Sequence, residues 1–352
     1  MEESQHSPSR ITQRKAEHID ICLHQDVAGC GIDSGWNDYR FVHNALPEIR
    51  FADVSTHAHF LDKPLKTPLL VSSMTGGTEE AWQLNRLLAV AAEAHGWALG
   101  LGSMRAALEQ PETARTFRVR QWAPSIPILA NVGAVQLNEG VTVDDCRTLV
   151  HMAEADGLIL HLNPMQEIFQ PDGDTNFTGL LAKIEQLCSK LEVPVGVKEV
   201  GMGIDDETAR HLAAAGVAFI DAAGAGGTSW ILVEGHRSPD PVKQQAAHAF
   251  ADWGIPTAAS VQQIRRTLPD IPLIASGGIH NGVEAAKAIA LGAHVAGTGR
   301  TLLQAASISE RELDETMARF TFELKAAMFG IGASSIQELQ GTERLIQHRG
   351  QE

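Results

Sequence analysis

Cysteine is scarce in this chain of 352 residues: Cys22, Cys30, Cys146 and Cys188 are all there are, with no CxxC spacing. That argues against a disulfide framework and leads us to expect reduced thiols, the usual state in the cytoplasm. No apolar run reaches membrane-spanning length. The stretch from Met1 to Arg10 is polar and lacks the apolar core of a secretory signal. Positive charge is in deficit. With 28 Lys and Arg against 43 Asp and Glu, the net charge is −15. Such a surface repels phosphates, so nucleic-acid binding is not expected as a main role, although a local basic pocket for a small phosphorylated ligand stays open. No Ser-His-Asp constellation, HExxH zinc motif or Walker-type phosphate loop is evident.

What is present is apolar sequence and glycine. Hydrophobic residues make up 44 % of the chain and charged residues 20 %, enough for a large core. Many of the 32 glycines fall at the ends of apolar runs. Residues 1–10 read as a disordered tail. The cluster Arg14-Lys15-Ala16-Glu17-His18 follows on a short helix, either a solvated face or a phosphate-binding arm. Residues 33–66 read as an irregular lead-in that wraps the domain.

From Pro68 the chain settles into a rhythm. Eight short apolar runs alternate with helical patterns, beginning near residues 68, 97, 127, 157, 193, 217, 271 and 294. Continuous apolar runs are what parallel strands buried on both faces require. Eight such units predict the α/β class and a (β/α)8 TIM barrel with an N-terminal arm and a C-terminal helical tail from about Ser309. Helices are predicted over about 79–95, 142–155 and 205–215. The connection between the sixth and seventh strands, about 45 residues, reads as a long loop over the site. The division expected is a lead-in at 1–66 and a barrel with C-terminal helices at 67–352, a single domain overall.

The strand ends carry the chemistry. Ser276-Gly277-Gly278-Ile279 and Gly297-Thr298-Gly299-Arg300 follow the seventh and eighth strands, where barrels build phosphate sites from backbone N–H groups. Lys198 sits in an apolar strand and needs an anionic partner: a flavin edge that gains negative charge on reduction, or a carboxylate such as Glu199. Thr75, Ser103, Asn131 and Thr228 could ring a flat polar cofactor. The most unusual stretch is His161-Leu162-Asn163-Pro164-Met165-Gln166-Glu167, an apolar strand stopping abruptly in polar groups. Glu167 could ligate Mg²⁺. Gln166, a neutral amide, can orient a substrate but cannot act as a general base. His161 could hold phosphate or move protons.

These segments resemble the type 2 isopentenyl-diphosphate isomerases, FMN-dependent barrel enzymes. The likeness spans about residues 14–300. It is carried by Arg14-Lys15 with His18, Asn44–Glu48, Met74–Gly77, Gly102–Arg105, His161–Glu167, Val197–Gly201, Gly224–Trp230 and Ser276–Gly282. It implies conversion of isopentenyl diphosphate to dimethylallyl diphosphate, a step of isoprenoid biosynthesis, with FMN kept reduced by NADPH. Arg14, Lys15, His18, Ser103, Arg105, His161, Asn163 and Gln166 would bind substrate, with Gln166 and His161 the catalytic candidates. Glu167 would hold Mg²⁺ against the diphosphate. Met74, Thr75, Gly76, Ser103, Asn131, Lys198, Ala223 and Thr228 would hold FMN, with Gly277, Gly278, Ile279, Gly299 and Arg300 at its phosphate.

Three positions depart from the family pattern. Ala223 replaces a common serine, His280 replaces a common arginine, and Gly299-Arg300 resembles the hydroxyacid-oxidase version of that loop. The resemblance further implies a cytoplasmic homo-oligomer, a tetramer or octamer, whose partner is a small molecule. The rival readings are an FMN-dependent 2-hydroxyacid oxidase or dehydrogenase, and a non-catalytic flavin- or phosphate-binding protein. The first would want a histidine base and an arginine just past the sixth strand, and Gly224–Trp230 holds neither.

Overall fold

The computed structural model describes residues 10–348. The expected disordered tail lies outside them, except for Arg10, which begins a helix running to His24.

Eight parallel strands close into a barrel. We number them β1 (Leu69–Val71), β2 (Ala98–Gly100), β3 (Ile128–Gly133), β4 (Gly157–His161), β5 (Val195–Lys198), β6 (Phe219–Asp221), β7 (Leu273–Ser276) and β8 (Val295–Thr298). Each pairs with the next, and β8 returns to β1. All eight predicted strands are present. Side chains along each strand alternate between the barrel interior and the surrounding helices. Leu70, Ala98, Leu129, Ile159, Phe219, Ile274 and Val295 form one apolar cluster inside. Their neighbours Val71, Leu99, Ala130, Leu160, Ile220 and Ala275 belong to the core shared with the helices. On β5 the inward place falls to Gly196. A Cβ there would come within 2.1 Å of the Phe219 ring, so only glycine lets Phe219 fill the middle of the barrel.

The lead-in is more regular than its sequence suggests. Ala58–Phe60 and Lys63–Leu65 form a hairpin whose two turn residues, Leu61 and Asp62, have φ of 50° and 59°. Phe60 and Leu65 join the interior cluster, with Phe60 edge-on to Phe219 at 5.5 Å, and they plug the bottom of the barrel. A Leu-Asp turn carries no glycine or asparagine signal, so this hairpin is invisible to turn chemistry. Tyr39–Phe41 pairs antiparallel with Leu345–Gln347, joining the lead-in to the C-terminal end.

The helix at Glu79–His95 matches its predicted bounds. Thr78 accepts from the Ala81 N–H at its start and Gly96 ends it in the left-handed region. Thr142 and Asp145 form a capping box on Val143–Ala153. The long C-terminal helix, Glu310–Ile331, starts where predicted, capped by Ser309. The 45-residue connection after β6 is not a loop. It folds into helices Trp230–Arg237, Pro241–His248 and Thr257–Thr267.

Candidate active site

Two residues beyond the apolar layer, the same inward-facing rows read Ser72, Gly100, Asn131, His161, Lys198, Asp221, Ser276 and Gly297. A polar floor thus lies on a hydrocarbon plug at the C-terminal end of the strands, and a cavity opens above it. Nearly every residue expected at the site lines that cavity. The N-terminal helix supplies Arg14, Lys15 and His18. Met74 and Thr75 follow β1, Ser103 and Arg105 follow β2, and Asn131 comes from β3. The β4 segment brings His161, Asn163, Gln166 and Glu167. Lys198, Ala223 and Thr228 follow, then Gly277, Gly278 and Ile279, and finally Gly299 and Arg300.

Gly76 is the exception. It does not line the cavity, and a Cβ on it would lie 2.0 Å from Phe117, so only glycine packs against that ring. Arg300 reaches the cavity, but its Nε and Nη2 donate to Cys22 O and Gln25 O at 2.9 Å each. Those carbonyls end the N-terminal helix, so the guanidinium clamps the arm onto the barrel. The Lys198 ammonium donates to the backbone oxygen of Glu199 rather than to its carboxylate. Glu199 spends one oxygen on the N–H groups of Val200, Gly201 and Met202, at 2.5, 2.7 and 2.5 Å. Ala223 takes φ of 39°, an unusual value for a residue with a Cβ.

The polar stretch after β4 is a short helix, Pro164–Phe169, with proline in its first turn. This brings Asn163, Gln166 and Glu167 together. Asn163 Nδ2 donates to Glu167 Oε1 at 2.7 Å and to Gln166 Oε1 at 3.2 Å. The other Glu167 oxygen accepts from Gln170 Nε2 at 3.1 Å and from the Asp174 N–H at 2.8 Å. Burial pushes the Glu167 carboxyl up, against these hydrogen bonds. His161 Nδ1 lies 2.8 Å from Asn131 Oδ1. Burial, then the charges of Lys198, Arg14 and Lys15, lower its pKa to about 3, so the imidazole is neutral at physiological pH.

Three participants escaped sequence reading. Glu234, fully buried, accepts from Gln166 Nε2 at 2.9 Å, meets His18 Nε2 at 2.9 Å and takes Arg237 Nη1 at 3.0 Å. Its donors outweigh burial and hold its pKa at about 2. Its one signal was a carboxylate directly after the apolar run Ile231-Leu232-Val233. Asp174 receives Arg105 Nη1 at 2.6 Å and Gln136 Nε2 at 3.0 Å. Asp221 lies beneath the cavity wall, accepting from Ser276 Oγ at 2.7 Å.

The cation supply is distinctive. Lys15 is buried, donates to Ser103 O at 2.7 Å and stands 5.1 Å from the centre of the Phe117 ring. Burial, with the neighbouring Arg14 charge, lowers its pKa to about 7. Ser72 Oγ, Thr75 Oγ1 and Asn163 Oδ1 are buried, line the cavity and have no hydrogen-bond partner. Idle buried polar atoms in a cavity wall call for a polar ligand.

Comparison with known proteins decides the family. The chain is 51 % identical to the isopentenyl-diphosphate delta-isomerase of Oceanobacillus iheyensis over 335 residues, 95 % of this chain and 96 % of that protein. It is 50 % identical to the isopentenyl-diphosphate delta-isomerase of a Nostoc species, over 95 % of this chain and 96 % of that one. The chain belongs to the type 2, FMN-dependent isopentenyl-diphosphate delta-isomerase family. Residues 140–347 also match the family model described as FMN-dependent dehydrogenase. Among solved structures, a lactate oxidase of Pediococcus acidilactici superposes with a TM-score of 0.66 at 15 % identity, covering 99 % of this chain and 97 % of that one. At that identity the likeness shows the fold alone.

Among the described residues no group of three His, Cys, Asp or Glu could hold a metal by itself. Glu167 therefore fits a cation only if the remaining ligands come from a bound diphosphate and water, as Mg²⁺ commonly accepts. The idle hydroxyls of Ser72 and Thr75, the Lys198 ammonium and the glycine loops after β7 and β8 fit FMN. No helix among the described residues is long and apolar enough to cross a membrane, and the four cysteines are free.

Proposed function

We propose that this chain interconverts isopentenyl diphosphate and dimethylallyl diphosphate, with FMN in its reduced form and Mg²⁺ on the diphosphate. The observation that carries the reading is the centre of the cavity, where the two catalytic candidates, Gln166 and His161, are both neutral. Neither is a ready proton carrier at neutral pH. Reduced FMN would supply that acid and base chemistry. The side chains then have holding roles. Arg14, Lys15, His18, Ser103, Arg105, His161 and Asn163 grip the substrate. Gln166, fixed by Glu234, lines up its hydrocarbon end, and Glu167 holds Mg²⁺.

On the cofactor side, Met74, Thr75, Ser103, Asn131, Ala223 and Thr228 border the ring system. Lys198 favours negative charge on it, and the loops at 276–279 and 297–300 take its phosphate. NADPH as reductant, and a cytoplasmic tetramer or octamer, come from the family resemblance. We treat 1–66 and 67–352 as parts of one domain.

The hydroxyacid-oxidase reading fares worse. It wants a histidine and an arginine facing the cavity after β6. Here His236 is exposed and away from the cavity, and Arg237 is paired with Glu17 at 2.8 Å and with Glu234. The test is an anaerobic assay of isopentenyl diphosphate isomerisation with dithionite-reduced FMN and Mg²⁺. Turnover is expected only with reduced flavin. Full activity with oxidised flavin, or none under reduction, contradicts the proposal.

A further inference from the structure

Lys198 and Asp221 are register partners at the ends of β5 and β6. Both are buried, at 7 % and 1 % exposure. Lys198 lines the cavity, and Asp221 lies behind it. On the far side, Ser276 Oγ and the Ala223 N–H donate to Asp221 Oδ1 at 2.7 and 3.2 Å. Asp221 Oδ2 is buried and accepts nothing. A carboxylate in that position is costly unless a cation stands near it. Besides the neutral His161, these two are the titratable groups of the eight floor positions; burial works against charge on each, and each draws the other towards its ionised form. The roles proposed above leave Asp221 unused.

We propose that Asp221 is a positioning residue that acts through Lys198: ionised beside the ammonium, it offsets part of that charge and so sets how strongly the cavity floor favours reduced over oxidised flavin. The inference rests on FMN occupying the cavity. Neutralising Asp221 leaves Lys198 unopposed, and the balance shifts towards the reduced form. An Asp221 that served only as a strut between Ser276 and Ala223 would leave the balance where it was.

The experiment is anaerobic stepwise reduction of the holoenzyme against reference dyes. In Asp221→Asn the preference for reduced FMN is expected to rise about tenfold, the effect of one charge at about 10 Å in a part-buried setting. For a two-electron couple that is a rise of about 30 mV. Lys198→Met lowers the midpoint. The double variant K198M/D221N matches K198M, because a buried carboxylate without its cation takes up a proton and has no charge left to remove.

An unchanged midpoint in D221N overturns the proposal, as does a further shift in the double variant. Ser276→Ala gives a second reading should D221N fail to fold. Withdrawing the hydroxyl favours protonated Asp221, so the midpoint moves the same way as in D221N, and no movement overturns the proposal. Wild-type protein that takes up no flavin contradicts the FMN reading and this proposal with it. Flavin binding with unchanged midpoints contradicts only the role of Asp221.

Discussion

Gln166 and Glu234 meet through a single hydrogen bond of 2.9 Å, and the Glu234 oxygen that accepts it also meets His18. One carboxylate thus fixes the amide at the cavity centre and the arm above it. In Glu234→Gln the new amide must turn an N–H towards at least one existing donor. Losing one such buried bond costs about 1–3 kcal/mol, so kcat is expected to fall about 10- to 100-fold with flavin content unchanged. Wild-type kcat in this variant would show that Gln166 needs no anchor.

The same residue makes an acid-sensitivity prediction. Its folded pKa, about 2, lies below the ordinary 4.5. A depressed carboxylate contributes stability above its unfolded pKa and loses it as pH falls towards the folded value. Between pH 5 and 3, wild type should lose on the order of 2 kcal/mol more stability than E234Q. Urea unfolding at the two pH values measures the difference; parallel losses contradict it.

Lys15, with a pKa of about 7, is half-protonated in the free protein at neutral pH. A bound diphosphate favours the charged form, so binding takes up a proton. Affinity should weaken by up to about tenfold for each pH unit above 7. Calorimetry in buffers of different ionisation enthalpy counts the protons. Lys15→Arg, charged throughout, should abolish the uptake assigned to this residue.

Glu167→Gln keeps the acceptor for Asn163 but removes the carboxylate. The Mg²⁺ concentration for half-maximal activity is expected to rise at least about tenfold, with FMN still bound. Loss of flavin instead would mean that the residue holds the fold.

Gly76→Ala places a methyl against Phe117. Such overpacking costs about 1–3 kcal/mol, and Phe117→Leu in the same chain should recover part of it in thermal unfolding. Equal stability of G76A and wild type would contradict the packing role.

The barrel was legible because its signals are local. Buried parallel strands need unbroken apolar runs, and helices such as Glu79–His95 carry their own caps. The β4 segment was legible for the opposite reason, since four polar side chains had no local use. What sequence reading missed depends on distant partners. Glu234 is one carboxylate among many until His18, Gln166 and Arg237 converge on it from three elements. Asp174 takes its meaning from Arg105, 69 residues earlier in the chain. Arg300 also clamps the end of the N-terminal helix at Cys22 and Gln25, a role its own loop does not announce. The hairpin at 58–65 failed on length, as three-residue strands show no period.

The clamp of Arg300 on the N-terminal helix sets an order of events during synthesis. The helix at Arg10–His24 leaves the ribosome before the elements it packs against. Its seat is made from Thr228, which bridges to Ala28, and from Arg300, which holds Cys22 and Gln25. Domains assemble as their partners emerge. Some 275 further residues must therefore be translated before the Arg300 clamp can close, well after the His18–Glu234 and Glu17–Arg237 contacts become possible. The cover over the cavity is complete only once the last strand end has emerged.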